Sequence, residues 1–131
     1  MATPYTHKKL TEVKDSAPDF GLQADGEARF AKDDLDGAET GVSHHRVKPG
    51  KRQPFGHRHE NAEEIYVVLA GSGRMKLDDE IIEIEPLDAI RVAPQVVRAF
   101  EAGPGGIEVL AFGPRHDGDG ELIQNWWSDN E

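Results

Sequence analysis

The stretch GHRHENAEEIYVVLAGSG, residues 56–73, decides how this chain of 131 residues is interpreted. Two histidines and a pair of glutamates precede an apolar run that ends in glycines. β-Branched and aromatic residues favour strands, so IYVVLA (65–70) is predicted to form one. Residues two apart on an extended chain point the same way, so His57 and His59 project to one side, where Glu64 from the next strand can join them.

Two imidazoles and one carboxylate are a ligand set for a divalent metal. They form a facial arrangement that suits iron, manganese, nickel or zinc and leaves coordination positions open. The alternative is that His57 and His59 are ordinary loop histidines and that Glu64 is a carboxylate at the start of a strand. Glu63 is expected to point into solvent. The sequence therefore predicts the geometry of a metal site and leaves open whether a metal is bound.

The composition limits the class of protein. The length fits one domain, residues 1–131, and without cysteine there are no disulfides or thiolate ligands. The net charge of -10 argues against nucleic acid as a partner. No signal peptide or membrane-spanning run is recognisable, so no membrane contact and a cytoplasmic location are expected. One segment is locally basic, either as a solvated loop or as a mouth that attracts an anionic small molecule; its cations are Arg46, Lys48, Lys51, Arg52 and Arg58.

Short apolar segments with turns at close spacing predict an all-β sandwich or barrel. The predicted barrel core covers residues 41–113, between an irregular N-terminal arm (1–27) and a C-terminal tail (114–131). At least one of Trp126 and Trp127 in the tail is expected to pack back on the barrel or on a partner, because each has a large apolar area. The predicted strands are 28–35, 41–50, 65–70, 74–79, 80–85, 89–94, 96–102 and 106–113, with turns at 71–73 and 86–88.

The stretch HRHENAEEIYVVLAG resembles the first motif of the cupin superfamily. That motif has His-x-His, Glu and Gly at a spacing that His57, His59, Glu64 and Gly71 satisfy. LDAIRVAPQVVRAFEAG (87–103) resembles the second motif with fewer matches. The resemblance covers most of the chain, and it implies a small single-domain cupin. The implied fold is a double-stranded β-helix, or jelly-roll barrel, whose interior holds either one divalent metal or none.

One departure from the second motif concerns the metal. Arg98 stands where metal-binding cupins have the histidine that is their fourth ligand. A guanidinium is always protonated and has no free lone pair, so it cannot replace an imidazole, and its charge opposes a cation. Two compensations are open: His44 or His45 supplies a ligand or a hydrogen bond from the preceding strand, or Arg98 pairs with Glu64 and the pocket works without metal.

Three functions are compatible with the sequence. The first is a small-molecule-binding barrel for an anionic or sugar-like metabolite, with Arg98 as a bidentate fork and with His45, Tyr66 and Phe100 beside the ligand. The second is a metal-dependent enzyme of the dioxygenase, isomerase or epimerase type, as the resemblance implies. The third is a non-enzymatic dimeric sensor or structural module. A homodimer is expected because strand 65–70 is apolar on both faces.

Overall fold

The computed structural model describes residues 4–128 and 130–131, and most of its regular structure is β-strand. Two short 3₁₀-helices, Leu10–Glu12 and Ala17–Phe20, precede the strands. No helix in the described residues is long and apolar enough to cross a membrane. The strands are β1 (Gly26–Phe30), β2 (Gly41–Val47), β3 (Gly56–His59), β4 (Glu64–Leu77), β5 (Glu80–Ile84), β6 (Ala89–Val92), β7 (Arg98–Gly113) and β8 (Gly120–Ile123).

The strands form one curled antiparallel sheet. Its main path runs β1-β2-β7-β3-β8, and β4 pairs with β5, β6 and β7. The first half of β4 pairs with the end of β7, with Ile65 opposite Phe112, and its second half pairs with the start of β7, with Leu77 opposite Arg98. This arrangement confirms the predicted all-β barrel.

Glycines let β4 and β7 approach closely where their pairing changes register. Gly71 has a φ of 75°, and a Cβ there would lie 2.0 Å from the carbonyl oxygen of Gly106, so no larger residue fits. The predicted turn at 71–73 is therefore wrong, because these glycines form a bulge within β4. The prediction of two strands at 96–102 and 106–113 is wrong for the same reason, since β7 continues through Gly106.

The apolar strand predicted at 65–70 has one buried and one open face. Tyr66 and Val68 point into the core, whereas Ile65 and Leu69 on the outer face are 42% and 40% exposed and Val67 is half-buried. The N-terminal arm forms a bridge to β1, between Asp15 and Arg29. The core consists of Val47, Tyr66, Val68, Met75, Ile84, Val92, Phe100, Ala102, Ile107, Val109 and Ala111.

The tail, predicted to be irregular, contains a strand. β8 pairs antiparallel with β3 over four residues, so it lies against the strand that carries both histidines of the predicted metal site. Both tryptophans pack on the barrel, as predicted: the Trp127 indole donates a hydrogen bond to the carbonyl of Gln53, and the guanidinium of Arg52 lies 4.4 Å from the Trp127 ring centroid.

The end of the tail is held by a buried lysine. Lys76 Nζ donates to the Trp126 carbonyl and to Glu131 Oε1, both at 2.6 Å, and lies 4.4 Å from the Trp126 ring centroid. The hydrogen bond from Lys76 is the main reason that the pKa of Glu131 is lowered to about 2. A carboxyl group whose pKa is lowered on folding stabilises the fold above its unfolded pKa, and that contribution is lost as the pH falls through the folded pKa.

We therefore expect the tail to loosen as the pH falls from the ordinary glutamate pKa of 4.5 to about 2. The only two tryptophans of the chain lie in the tail, so intrinsic fluorescence reports on it directly. The emission should shift to the red across this range in the wild type. Glu131→Gln should show the shifted emission already at neutral pH and lack the acid transition. Identical titrations of the two proteins would contradict the role of the Lys76–Glu131 contact.

Candidate metal centre

The three predicted metal ligands converge, and we call His57, His59 and Glu64 the triad. Their ligand atoms all lie within 4.8 Å of one another. Glu64 Oε1 lies 3.5 Å from His57 Nε2 and 3.2 Å from His59 Nε2. β3 is extended, as the alternation argument required, and Glu64 is the first residue of β4.

These separations fit a shared divalent ion. Two ligand atoms that each lie about 2.1 Å from a metal are about 3.0 Å apart at a right angle and about 3.4 Å apart at a tetrahedral angle. Within residues 4–128 and 130–131, the buried His59 Nε2 makes no hydrogen bond of good geometry, and it faces Glu64 Oε1. A lone pair buried beside a carboxylate oxygen is costly unless a proton or a cation lies between them. The triad side chains are 28%, 20% and 18% exposed, so an ion can enter from solvent.

Glu64 is the ionised centre of the cluster. Burial by itself raises its pKa, but the two facing imidazoles outweigh burial and hold the pKa of Glu64 well below its usual value. The Tyr66 hydroxyl donates to Glu64 Oε1 at 2.6 Å, and burial and the adjacent carboxylate raise the pKa of Tyr66, so it stays a donor. Burial lowers the pKa of His57, which leaves its imidazole neutral and able to bind a metal.

Arg98 is buried next to the triad. It pairs directly with His57 across β3 and β7, which places it beside that histidine, and its side chain is 0% exposed. Its Nη2 lies 3.6 Å from Glu64 Oε1, while the guanidinium also donates to backbone carbonyls of Ala93 and Pro94. Arg98 therefore lies against Glu64 and is anchored to the β6–β7 connection behind it.

His45 is the inward member of the His44–His45 pair. It shares a strand face with buried Val47 and lies opposite Val109 of the core. Burial, and next the neighbouring His57, lowers the pKa of His45 to about 4, so it is neutral. Its Nε2 contacts Ser43 Oγ at 2.8 Å. Among the described residues, the side chains that lie close enough together to share a metal ion are those of the triad, without His45. This supports a hydrogen-bonding role for His45.

His44 and Phe100 serve the packing of the barrel. His44 lies on the outer face, where its Nε2 contacts Glu108 Oε2 at 2.7 Å. Phe100 is 2% exposed and packs edge-to-face on Tyr66, with ring centroids 5.2 Å apart. Contact of a ligand with Tyr66 or Phe100 stays a prediction.

The locally basic segment is largely neutralised by distant residues. Arg46 bonds to Glu108, Arg52 pairs with Glu101, and Arg58 bonds to Glu121, each acid coming from a different part of the sequence. Lys48 Nζ donates to the Gln23 carbonyl. The segment is thus better described as a surface of ion-paired side chains than as a positively charged entrance to the pocket.

Two surface clefts lie away from the triad. One, of about 550 Å³, is bordered by Gly26, Arg46 and Gly106, and the other, of about 580 Å³, by Arg74 and Glu101. Neither lining includes a triad residue, and neither holds a cluster of metal ligands. The convergent polar groups of the triad, not cleft volume, identify the candidate site.

One residue that contacts the triad could not be found from the sequence. Asp119, just before β8, places its Oδ2 3.3 Å from His59 Nδ1. It lies in a polar Asp-Gly-Asp-Gly stretch that predicts only a turn. Its proximity to His59 depends on the pairing of β8 with β3, and no local pattern signals that pairing.

Comparison with known proteins gives one family. The family described as Cupin_2, cupin domain, matches residues 43–111, more than half of the chain. A curated relative, the uncharacterized protein MJ1618 of Methanocaldococcus jannaschii, is 32% identical over 71 residues. The match covers 52% of this chain and 57% of that protein, so the chain spans little more than half of the relative.

Solved structures share the fold at low sequence identity. A cupin protein from Bacteroides fragilis has a TM-score of 0.70 at 24% identity, over 89% of each chain. The polyketide cyclase RemF from Streptomyces resistomycificus has a TM-score of 0.72 at 24% identity, over 95% of this chain and 87% of that one. Oxalate decarboxylase from Bacillus subtilis has a TM-score of 0.74 at 19% identity, over 95% of this chain and 33% of that one. The likeness is one of fold alone.

Proposed function

The chain belongs to the Cupin_2 family of cupin domains, and from this premise we propose that it binds one divalent transition metal and a small metabolite. The proposed metal ligands are His57, His59 and Glu64. The remaining coordination positions are open to an anionic or sugar-like molecule. A bound divalent ion would act as a Lewis acid on oxygen atoms of that molecule.

The observation that carries this proposal is the unpartnered Nε2 of His59. This buried atom lies 3.2 Å from the Glu64 carboxylate without good hydrogen-bond geometry, and no other group among the described residues hydrogen-bonds to it. If no cation were bound there, an apolar side chain in place of His59 would avoid the cost of the buried lone pair. The separations within the triad also match those of atoms that share one metal.

A metal-free pocket is the second candidate, and Arg98 is the observation that favours it. The guanidinium lies 3.6 Å from Glu64 and already places a positive charge beside the carboxylate. In that case the Arg98–Glu64 pair replaces the metal as the charge balance of the pocket. Its weakness is geometric, because the guanidinium is fully buried and bonded to backbone carbonyls, so little of it faces an entering ligand.

Cobalt(II) titration tests the proposal, because the visible absorption of this ion depends on its coordination. Untagged protein should develop visible bands at one equivalent of cobalt. Addition of azide or acetate should then shift the bands, since these anions enter open positions. Bands that do not respond to either anion would contradict an open site. Absence of any cobalt signal, together with anion binding to the metal-free protein, would favour the second candidate.

The outer face of β4 supports a homodimer as part of the proposal. Ile65, Val67 and Leu69 form an apolar stripe, which the fold leaves open to solvent in one chain. Burial of large side chains of this kind stabilises by about 1.5–3 kcal/mol each, before the cost of association is subtracted. A second copy of this chain presents an equivalent stripe, so that two copies cover each other by the same residues.

Val67→Lys should give a folded monomer. The new ammonium group points outwards in a single chain, where water solvates it, but it would be buried without a partner in a dimer. The dimer should therefore dissociate at least about a hundredfold more readily, which corresponds to about 2.8 kcal/mol. Leu122→Lys on β8 adds the same charge elsewhere and should keep the dimer. Light scattering measures both masses, and a wild-type monomer at tens of micromolar would refute the interface.

A further inference from the structure

The segment around Asp119 connects the tail to the strand that carries both histidines. β8 begins at Gly120, which lies opposite His59, and pairs with β3. The backbone of Asp119 accepts a hydrogen bond from the Glu60 amide at 3.0 Å. The tail therefore meets the chain directly after His59, at the start of the connection that leads to Glu64.

The Asp119 carboxylate organises that connection. Its side chain is 3% exposed. One oxygen, Oδ1, accepts from the Asn61 amide at 2.8 Å and from Asn61 Nδ2 at 3.1 Å. The other, Oδ2, accepts from the Ala62 amide at 3.1 Å and lies 3.3 Å from His59 Nδ1. With these three N–H donors on its two oxygens, the carboxylate is held in place as an acceptor.

A fixed acceptor beside one ring nitrogen decides which tautomer a neutral histidine adopts. Because the Asp119 carboxylate can only accept, it favours the proton on Nδ1 of His59. Glu64 Oε1 lies 3.2 Å from Nε2 and competes for the same proton, so the tautomer that leaves a lone pair on Nε2 depends on the contact with Asp119. Metal-binding histidines commonly have such a carboxylate or carbonyl on their second nitrogen, which fixes the tautomer and the ring orientation.

We infer that Asp119 is a positioning residue of the metal site, which holds His59 in the tautomer and orientation that offer Nε2 to the metal. The inference rests on the proposed function, since it extends the same site. It makes the tail a part of the site, although the tail supplies no ligand of its own. The structural observation behind this role of Asp119 is that His59, Asp119 and the 60–62 backbone lie side by side.

The test uses Asp119→Asn, with zinc alone as the probe. In the variant, an NH₂ group takes the place of one carboxylate oxygen. An NH₂ group in the position of Oδ2 accepts a hydrogen bond neither from the Ala62 amide nor from His59. A proton on His59 Nδ1 should therefore lose its stabilisation. Zinc affinity, measured by calorimetry, should fall about 10–100-fold. Long-range proton–nitrogen NMR spectra of the metal-free proteins at alkaline pH report the tautomer. Because Glu64 and Asp119 face the two ring nitrogens at similar distances, the metal-free wild type should populate both Nδ1–H and Nε2–H, and the Nδ1–H form should fall in the variant.

Two control variants separate positioning from general stability. Glu121→Gln removes a β8 charge that bonds to Arg58 at the surface, and it should change neither readout. Asn61→Ala removes one donor to Asp119 Oδ1 and leaves the Oδ2 contact with His59, so it should leave the tautomer unchanged. The same fraction of Nδ1–H in the wild type and in Asp119→Asn, or unchanged zinc affinity in Asp119→Asn, would overturn the inference. If the wild type binds no zinc, the proposed function fails, while the tautomer measurement still tests Asp119.

Discussion

Glu64→Gln should weaken metal binding by two to three orders of magnitude. A zinc site with four protein ligands gains about 10–16 kcal/mol on binding, so one ligand accounts for about 2.5–4 kcal/mol, and the change removes the only charged ligand of the triad. The amide keeps the size of the side chain and still accepts from Tyr66, which limits the change in packing. Calorimetric titration with zinc measures the loss.

The neighbouring glutamate supplies a matched control. Glu63 is exposed and lies 3.3 Å from Arg91 on the outside of the barrel, so Glu63→Gln removes the same charge at a distance from the triad. It should bind zinc as the wild type does. An equal loss in both variants would reduce the effect to net charge and contradict the role of Glu64 as a ligand. Loss of thermal stability in Glu64→Gln without any change in zinc binding would favour the Arg98–Glu64 pair of the metal-free pocket.

Arg98→His should tighten metal binding at least tenfold. Coulomb repulsion between a fixed unit charge and a nearby dication amounts to several kcal/mol even at an effective dielectric constant of about 20, and the substitution removes it. The new imidazole can also supply a fourth ligand. The variant should be less stable than the wild type, because the carbonyls of Ala93 and Pro94 lose a buried donor, at about 1–3 kcal/mol for each unsatisfied group.

Arg98→Gln separates the two causes of that gain. It removes the charge without adding an imidazole, so its affinity should lie between those of the wild type and Arg98→His. Zinc titrations of the three proteins, with thermal unfolding as the measure of stability, give the comparison. Equal affinities in all three would show that Arg98 does not influence the metal site.

The triad could be predicted from the sequence because it depends on local geometry. The alternation of an extended chain places His57 and His59 on one side, and Glu64 opens the next strand after a connection of only four residues. The position of Arg98 in the site was predicted from the resemblance to the second cupin motif. The register of β3 and β7 explains this position, since Arg98 lies opposite His57.

The errors have a common physical origin in contacts that are distant in sequence. Gly71 and Gly73 predict a turn because glycine favours turns locally. The close approach of Gly106 to Gly71 makes the same segment a bulge within β4. β8 was missed because a short polar strand has no periodicity of its own and forms only against β3. The charge pairing of Arg46 with Glu108 likewise depends on the packing of β2 on β7.

The metal content of the untagged wild type tests the central claim most directly. Protein purified without a histidine tag and without chelators should carry, or take up on titration with zinc or nickel, one divalent ion per chain. That ion should be lost in Glu64→Gln and retained in Glu63→Gln. A wild type that binds neither zinc nor nickel in a calorimetric titration would contradict the proposed metal site, and the buried Arg98–Glu64 pair would then be the charge balance of the pocket.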